Sequence, residues 1–250
     1  MNNRNAVVMS ALLAVAMLFY FGKRDGEELS LPQCEFDQVV ETPVHFFADE
    51  SLSEERVNAW LEYANVVLEN SCVPLKRTLS GIERIDLQAF TSVEEGQLHR
   101  QLVTAVGEQV LEPMQRTGHY YVLVLPNGHK FSEDGLIGTA HVNFSRSFAV
   151  LVAGADVHIL EHELGHLAWA WHNDTPDYWL KGQLLDEFHP YIKSYARGYL
   201  CGDAGTVMTY ASNQLPIYSS PKIRYFGQVC GDEAHADNAR LMQEFARSLM

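Results

Sequence analysis

A helix carrying two histidines four residues apart is the feature that most constrains this chain. The segment reads His-Glu-Leu-Gly-His over residues 162–166. Residues four apart lie on one helical face, so His162 and His166 can bind the same metal ion. Glu163 can reach a water on that ion without being a ligand. Two neutral nitrogen donors, an open coordination position and a carboxylate base are the parts of a zinc hydrolase.

The residues around this segment predict a strand followed by a helix. The run 148–152 is short, apolar and partly β-branched, which is typical of a buried strand. Ala-Gly-Ala at 153–155 is a tight connection. The apolar residues that follow recur at helical spacing, which predicts a helix with one face on a core and its histidines on a cleft; they are Val157, Leu160, Leu164 and Leu167.

A third ligand must come from outside the two-histidine segment. His172, six residues after His166, is the first candidate. Other hydrolases of this type use a downstream carboxylate instead, and Glu187 is the alternative.

The run from His162 to Asp174 resembles the metzincin metallopeptidases. Their pattern is His-Glu-x-x-His-x-x-Gly-x-x-His, and here Trp169 replaces the later glycine. In that family the glycine ends the helix and turns the chain, so that the third histidine reaches the metal. A tryptophan in the same left-handed conformation would cost about 1–2 kcal/mol, which burial of its indole can offset. The resemblance therefore predicts a helix end near Trp169 and His172 as third zinc ligand.

A second resemblance lies downstream, in Gly-Thr-Val-Met-Thr-Tyr at 205–210. It resembles the metzincin methionine turn, which implies that Met208 lies beneath the metal. Tyr210 matches a tyrosine that stabilises the oxyanion in astacin-like and serralysin-like members, although a tyrosine buried beneath the turn is the alternative. Over residues 120–250 the chain is closest in character to bacterial reprolysin-like metzincins, through the further segments 195–199, 218–221 and 237–240.

Alternating strand and helix patterns predict an α/β (α+β) fold with a mixed sheet. Helices should begin at two capping boxes, Ser51 to Glu54 and Ser92 to Glu95. Strands are expected over 39–47, 82–90, 120–125 and 136–142. The resemblance implies a zincin-like arrangement. Residues 39–172 would form an N-terminal subdomain with the active-site helix, and 173–250 a smaller irregular C-terminal subdomain that ends in a helix. The sheet edge over the cleft would bind an extended peptide as an added strand.

The N-terminal residues indicate export. Residues 6–21 are apolar and uncharged and are followed by Lys23 and Arg24. Residues 1–24 are therefore expected to be a cleaved signal peptide or an uncleaved membrane anchor, with 25–38 as a linker. Either way the rest of the chain would be extracytoplasmic: secreted, periplasmic or tethered to a membrane.

Four cysteines agree with an oxidising compartment. They allow three pairings, of which Cys34–Cys72 and Cys201–Cys230 are favoured, because the second would brace the loop around the methionine turn.

The formal net charge of −14 argues against a nucleic-acid partner, whose phosphates need Lys and Arg. The function expected from these features is an exported endopeptidase. Zinc would be held by His162, His166 and His172, and Glu163 would act as general base. The alternatives are a zinc-bearing binding module with a vestigial site, a zinc hydrolase of a non-peptide bond, and an enzyme with Glu187 as third ligand. Substrate preference and oligomeric state are not predicted.

Overall fold

Residues 29–133 and 135–250 are described by a computed structural model. The predicted signal peptide or anchor in residues 1–24 lies outside these ranges. Within them, no helix is both long and apolar enough to cross a bilayer.

Short strands and helices alternate along the described chain. The strands are β1 (Leu29–Ser30), β2 (Val40–Ala48), β3 (Leu75–Arg84), β4 (Tyr120–Leu125), β5 (Gly138–Thr139), β6 (Phe148–Val152), β7 (Leu200–Cys201), β8 (Ala204–Gly205), β9 (Ser220–Tyr225) and β10 (Gln228–Cys230). The α-helices are α1 (Glu54–Asn70), α2 (Glu95–Val106), α3 (Glu108–Leu111), α4 (Lys130–Glu133), α5 (Ile159–Leu167), α6 (Asp177–Gln183) and α7 (Asn238–Ser248). Short 3₁₀ helices cover Glu112–Met114 and Asp186–Tyr191.

The central sheet has the strand order β3-β2-β4-β6-β5. The first four strands are parallel, and β5 is antiparallel to β6 at the edge. The predicted mixed α/β sheet is therefore present. Strand β3 lies on one side of β2, and the next strand in sequence, β4, lies on the other side of β2. Because crossovers between parallel strands are right-handed, α1 and α2 lie on opposite faces of the sheet. Helix α5 packs beside α1, and Trp60 Nε1 donates to Ala155 O at 3.1 Å just before α5.

Of the five predicted strands, two have their exact bounds, the one expected over 39–47 is shifted by one residue to Val40–Ala48, and two differ more. The strands at Tyr120–Leu125 and Phe148–Val152 are confirmed, and every residue in both is buried. The strand expected over 82–90 runs instead over Leu75–Arg84, since an arginine buried within it masks the apolar alternation. The strand expected over 136–142 is reduced to Gly138–Thr139, because its continuation bonds to α2 rather than to β6.

Neither predicted capping box forms. Ser53, not Ser51, caps α1 by accepting from Arg56 N at 3.2 Å. Helix α2 begins at Glu95 without a side-chain cap, and Ser92 Oγ accepts from Glu94 N outside the helix. The Glu95 carboxylate is engaged with the β5 region instead.

The C-terminal part is irregular and ends in α7. Strand β9 pairs with β1 and β10, and β7 pairs with β8. The structure pairs Cys34 with Cys72 and Cys201 with Cys230, the favoured arrangement. The second disulfide links β7 to β10, which lie before and after residues 205–210, the methionine segment.

Candidate metal centre

The α5 helix ends in a turn that reverses the chain at Trp169. Ala170 N donates to Gly165 O at 2.9 Å, and Trp169 N donates to His166 O at 3.0 Å. This is the Schellman pattern, which requires a left-handed residue, and the φ of Trp169 is 72°. Trp169 therefore adopts the conformation that glycine has in the metzincin pattern.

Burial and stacking of the indole explain why a tryptophan is tolerated there. Trp169 is only 5% exposed. Its ring stacks on Tyr191 with centroids 4.6 Å apart and planes 8° from parallel, and Phe188 packs at 5.4 Å. These contacts offset the roughly 1–2 kcal/mol that the backbone conformation costs. The 3₁₀ helix that supplies both partners thus stabilises the turn.

The turn brings His172 back to the two histidines of α5. Trp171 N donates to Ala196 O at 3.1 Å, which holds the returning chain. His172 Nε2 lies 3.0 Å from His162 Nε2 and 3.0 Å from His166 Nε2. Tetrahedral zinc with Zn–N bonds of about 2.0–2.1 Å separates its nitrogens by about 3.3 Å, so the spacing suits one ion.

The hydrogen bonds of the rings leave their Nε2 atoms as acceptors. His162 Nδ1 lies 2.7 Å from Val207 O, and His166 Nδ1 lies 2.8 Å from Ala170 O. A carbonyl oxygen only accepts, so each Nδ1 carries the proton and each Nε2 carries a lone pair. Two lone pairs then face His172 Nε2, which can donate to only one of them. A cation satisfies all three nitrogens, and the donor set therefore fits zinc.

Burial keeps these imidazoles neutral. It lowers the pKa of His162 to about 4 and that of His172 to about 3, and it lowers the pKa of His166 well below its ordinary value. Neighbouring histidines act in the same direction. All three rings are thus in the ligand-competent form at neutral pH.

Glu163 lies beside the three histidines but does not belong to their cluster. Among the described residues, the group able to hold a metal ion consists of His162, His166 and His172. Glu163 is 5% exposed, and burial, aided by the nearby Glu95, raises its pKa well above the ordinary value. A carboxylate held in this way is a strong base when ionised.

Met208 is fully buried beneath the centre of α5. A Cβ at Gly165 would come within 2.7 Å of Met208 Sδ, so the turn and the helix are in close contact. The preceding residue, Val207, supplies the carbonyl that orients His162. The methionine segment therefore supports one histidine directly and the helix above it.

Tyr210 is not buried beneath the turn, the alternative considered from sequence. Its side chain is 73% exposed, and its ring centroid lies 4.3 Å from that of His172 and 6.0 Å from that of His162. Partial desolvation of the phenol, with the charges of Glu163 and Asp174, raises the pKa of Tyr210, so the phenol keeps its proton at neutral pH.

Glu187 lies away from the centre. It is exposed in the Asp186–Tyr191 3₁₀ helix and lies outside the histidine cluster. The carboxylate alternative for the third ligand therefore has no support in this geometry.

Sequence reasoning missed a buried ion pair behind the site. Arg77 of β3 bonds Glu161 of α5 through two contacts of 2.9 Å, and Tyr218 Oη donates to Glu161 Oε1 at 2.6 Å. Glu161 immediately precedes His162, so the network ties the helix to the sheet and to the C-terminal part. The pair is separated by 84 residues, and no local pattern marks it.

Comparisons with known proteins place this site in context. A peptidyl-Asp metalloendopeptidase of Pseudomonas aeruginosa is 26% identical in an alignment 220 residues long, which covers 78% of this chain and 36% of the relative. The chain thus spans about a third of the length of that relative. No family model matches the chain.

Two solved structures have been compared with the fold. A chain from a chaperone–substrate complex aligns with a TM-score of 0.62 at 19% identity, covering 85% of this chain and 35% of that one. Metalloproteinase-II from Bacteroides fragilis aligns with a TM-score of 0.42 at 15% identity, over 86% and 56% of the two chains. At these identities the first likeness concerns the fold alone.

Proposed function

We propose that this chain is an exported zinc endopeptidase of the metzincin type. The observation that carries the proposal is the convergence of three neutral imidazole nitrogens beside a buried carboxylate that is not itself a ligand. A structural zinc site needs no such base, since its four ligands are closed around the ion. The curated relative, whose name states metalloendopeptidase activity, supports the same class.

His162, His166 and His172 would hold the ion through their Nε2 atoms. Zinc bound there would supply a Lewis acid and lower the pKa of a water at its open position. The carbonyls of Val207 and Ala170 fix the orientation of two rings from behind. Such outer partners keep a metal site in shape and raise ligand basicity.

Glu163 is the general base of the proposed reaction. Its carboxylate accepts the proton of the attacking water and then donates it to the leaving amine. Burial raises the pKa of Glu163, which strengthens the ionised carboxylate as a proton acceptor. Tyr210, whose hydroxyl is protonated and on the solvent side of His172, is proposed to donate to the developing oxyanion.

The edge strand β5 is the proposed binding site for an extended peptide. Val152 N donates to Ile137 O, so the backbone carbonyl of Ile137 points toward β6. The backbone groups of the next residue, Gly138, therefore point away from β6, toward the unpaired side of the strand. One face of the strand at Gly138 lies against Glu163, so the unpaired edge is close to that carboxylate. A peptide added as a strand would therefore pass its carbonyl near the base and the metal.

Export is proposed from the two disulfides, which persist in oxidising compartments. The zincin-like division into residues 39–172 and 173–250 is proposed with it, the cleft lying between β5 and the methionine segment.

A metal-depletion experiment tests the function. The purified protein should cleave a mixture of unstructured peptides, lose this activity with a chelator, and regain it with one equivalent of zinc. Mass spectrometry of the products should show internal peptide bonds broken. A protein that binds one zinc but cleaves nothing would favour the binding-module alternative.

A further inference from the structure

Glu95 is a partly buried carboxylate that takes no direct part in the proposed reaction. It is the first residue of α2, and its Oε1 accepts from His141 N at 3.1 Å. Its Oε2 accepts from Thr139 Oγ1 at 3.4 Å. One side chain thus bonds both the last residue of β5 and the backbone just beyond it.

The opposite face of the same strand lies against Glu163. A Cβ on Gly138 would come within 2.7 Å of Glu163 Oε1 and within 3.1 Å of its Cγ. Successive strand residues face opposite sides, so Gly138 faces Glu163 while Thr139 faces Glu95. The edge strand therefore has a carboxylate against each of its faces. One of them, Glu95, is hydrogen-bonded to the strand and to the backbone just beyond it.

Helix stability does not explain the burial of Glu95. An acidic residue in the first turn is favourable, but an exposed one serves equally well, and the adjacent Glu94 is exposed. Desolvation of the Glu95 carboxylate opposes its ionisation, and the bonds to His141 and Thr139 oppose that effect. The energetic reason for its position is thus the contact with the β5 segment.

We propose that Glu95 is a positioning residue that holds the edge strand at a set height over Glu163. The proposal rests on the proposed function, because it gives Glu95 the task of keeping base, metal site and strand-bound peptide in one geometry. The bonds that matter need the reach of a glutamate side chain and an acceptor oxygen. They do not need its negative charge.

Two conservative changes at Glu95 separate the length of the side chain from its charge. Glu95→Gln keeps the chain length and one acceptor oxygen for His141 N, and the Thr139 hydroxyl can turn to accept from its amide. Glu95→Asp keeps the charge but is one methylene too short. Gly182→Ala is the control, since a Cβ at Gly182 would meet no atom within 4 Å.

Hydrogen exchange of the metal-free protein gives a readout that does not depend on activity. In Glu95→Asp, amides in residues 136–143 should exchange about tenfold faster, while the buried strand β4 stays protected as internal control. In the zinc-loaded enzyme, Glu95→Asp should lower kcat about tenfold at unchanged zinc content with KM altered less than about threefold, because small misplacements of reacting groups are costly. Glu95→Gln and Gly182→Ala should stay within about threefold of wild type in both measurements.

The proposal would be overturned if the amides of residues 136–143 exchanged in Glu95→Asp at the wild-type rate. It would also be overturned if Glu95→Gln and Glu95→Asp lowered kcat equally. An active wild type with a normal Glu95→Asp would refute the positioning role alone. An inactive zinc-loaded wild type would refute the proposed function, and hydrogen exchange would still test the contact between Glu95 and the edge strand.

Discussion

Arg77 and Glu161 form a bidentate ion pair in which neither side chain is exposed to solvent. Both N–O distances are 2.9 Å, and Thr42 Oγ1 and Tyr218 Oη complete the hydrogen bonding. The pair joins β3 to the residue before His162. Helix α5, which carries His162 and His166, is therefore anchored on the side away from the cleft.

Removing one partner of this pair should be strongly destabilising. Arg77→Met leaves the Glu161 carboxylate buried without its counter-charge, so the free energy of unfolding should fall by about 3–5 kcal/mol. Urea unfolding of metal-free protein measures it. Arg100→Met, at an exposed arginine, should change it by less than about 0.5 kcal/mol. A change in the free energy of unfolding that is as small for Arg77→Met as for Arg100→Met would show that the ion pair contributes little to stability.

The contact between Gly165 and Met208 gives a second test. Gly165→Ala places a Cβ within 2.7 Å of Met208 Sδ and 3.1 Å of Tyr218 Oη, so overpacking should destabilise the protein by about 1–3 kcal/mol. Gly182 lies in α6 with open space around its Cβ position. Gly182→Ala should therefore instead stabilise the protein by up to about 1 kcal/mol through helix propensity. Thermal unfolding of both variants checks the opposite signs. A stabilised Gly165→Ala would contradict the close approach of the turn.

The partly buried Glu95 carboxylate should make stability depend on pH. Burial raises its pKa from 4.5 to about 7. Its contribution is present below about pH 4.5 and is lost as pH rises through 7, because the folded state then holds a proton that the unfolded chain has released. Glu95→Gln lacks this loss. Its stability relative to wild type should rise by about 2–3 kcal/mol between pH 4.5 and 7 and then level off. A pH-independent difference in urea unfolding would disprove it.

Zinc affinity distinguishes the two candidates for third ligand. His172→Ala should weaken zinc binding by more than the roughly 10–100-fold that loss of an outer partner costs, since a ligand nitrogen is removed. Glu187→Gln should leave the affinity unchanged, because Glu187 is exposed outside the histidine cluster. Competition with a chromophoric chelator measures both. Loss of affinity in Glu187→Gln would restore the carboxylate alternative.

Features encoded in short stretches of sequence were predictable. The buried strands 120–125 and 148–152 and the helix with its histidines follow from local periodicity. The place of Trp169 in the helix-ending turn followed from its position in a known pattern, and the structure shows how the ring of Tyr191 makes it tolerable.

Features that depend on distant contacts were not predictable. Arg77 and Glu161 look like solvated charges until the fold brings them together, and this hid the true bounds of β3. Glu95 matches a capping box, but its partners lie more than forty residues away, at 44 and 46 positions along the chain. A single sequence records the residue types of such pairs without their proximity.

The base role of Glu163 is tested most directly by measuring zinc content and peptide hydrolysis on one preparation of Glu163→Gln. The amide keeps the size of the side chain and leaves the three histidines intact, so the variant should bind one zinc as wild type does. It cannot accept the proton of the attacking water, and hydrolysis should fall by at least about 10²–10⁴-fold. Full zinc content with near-normal turnover would contradict the account.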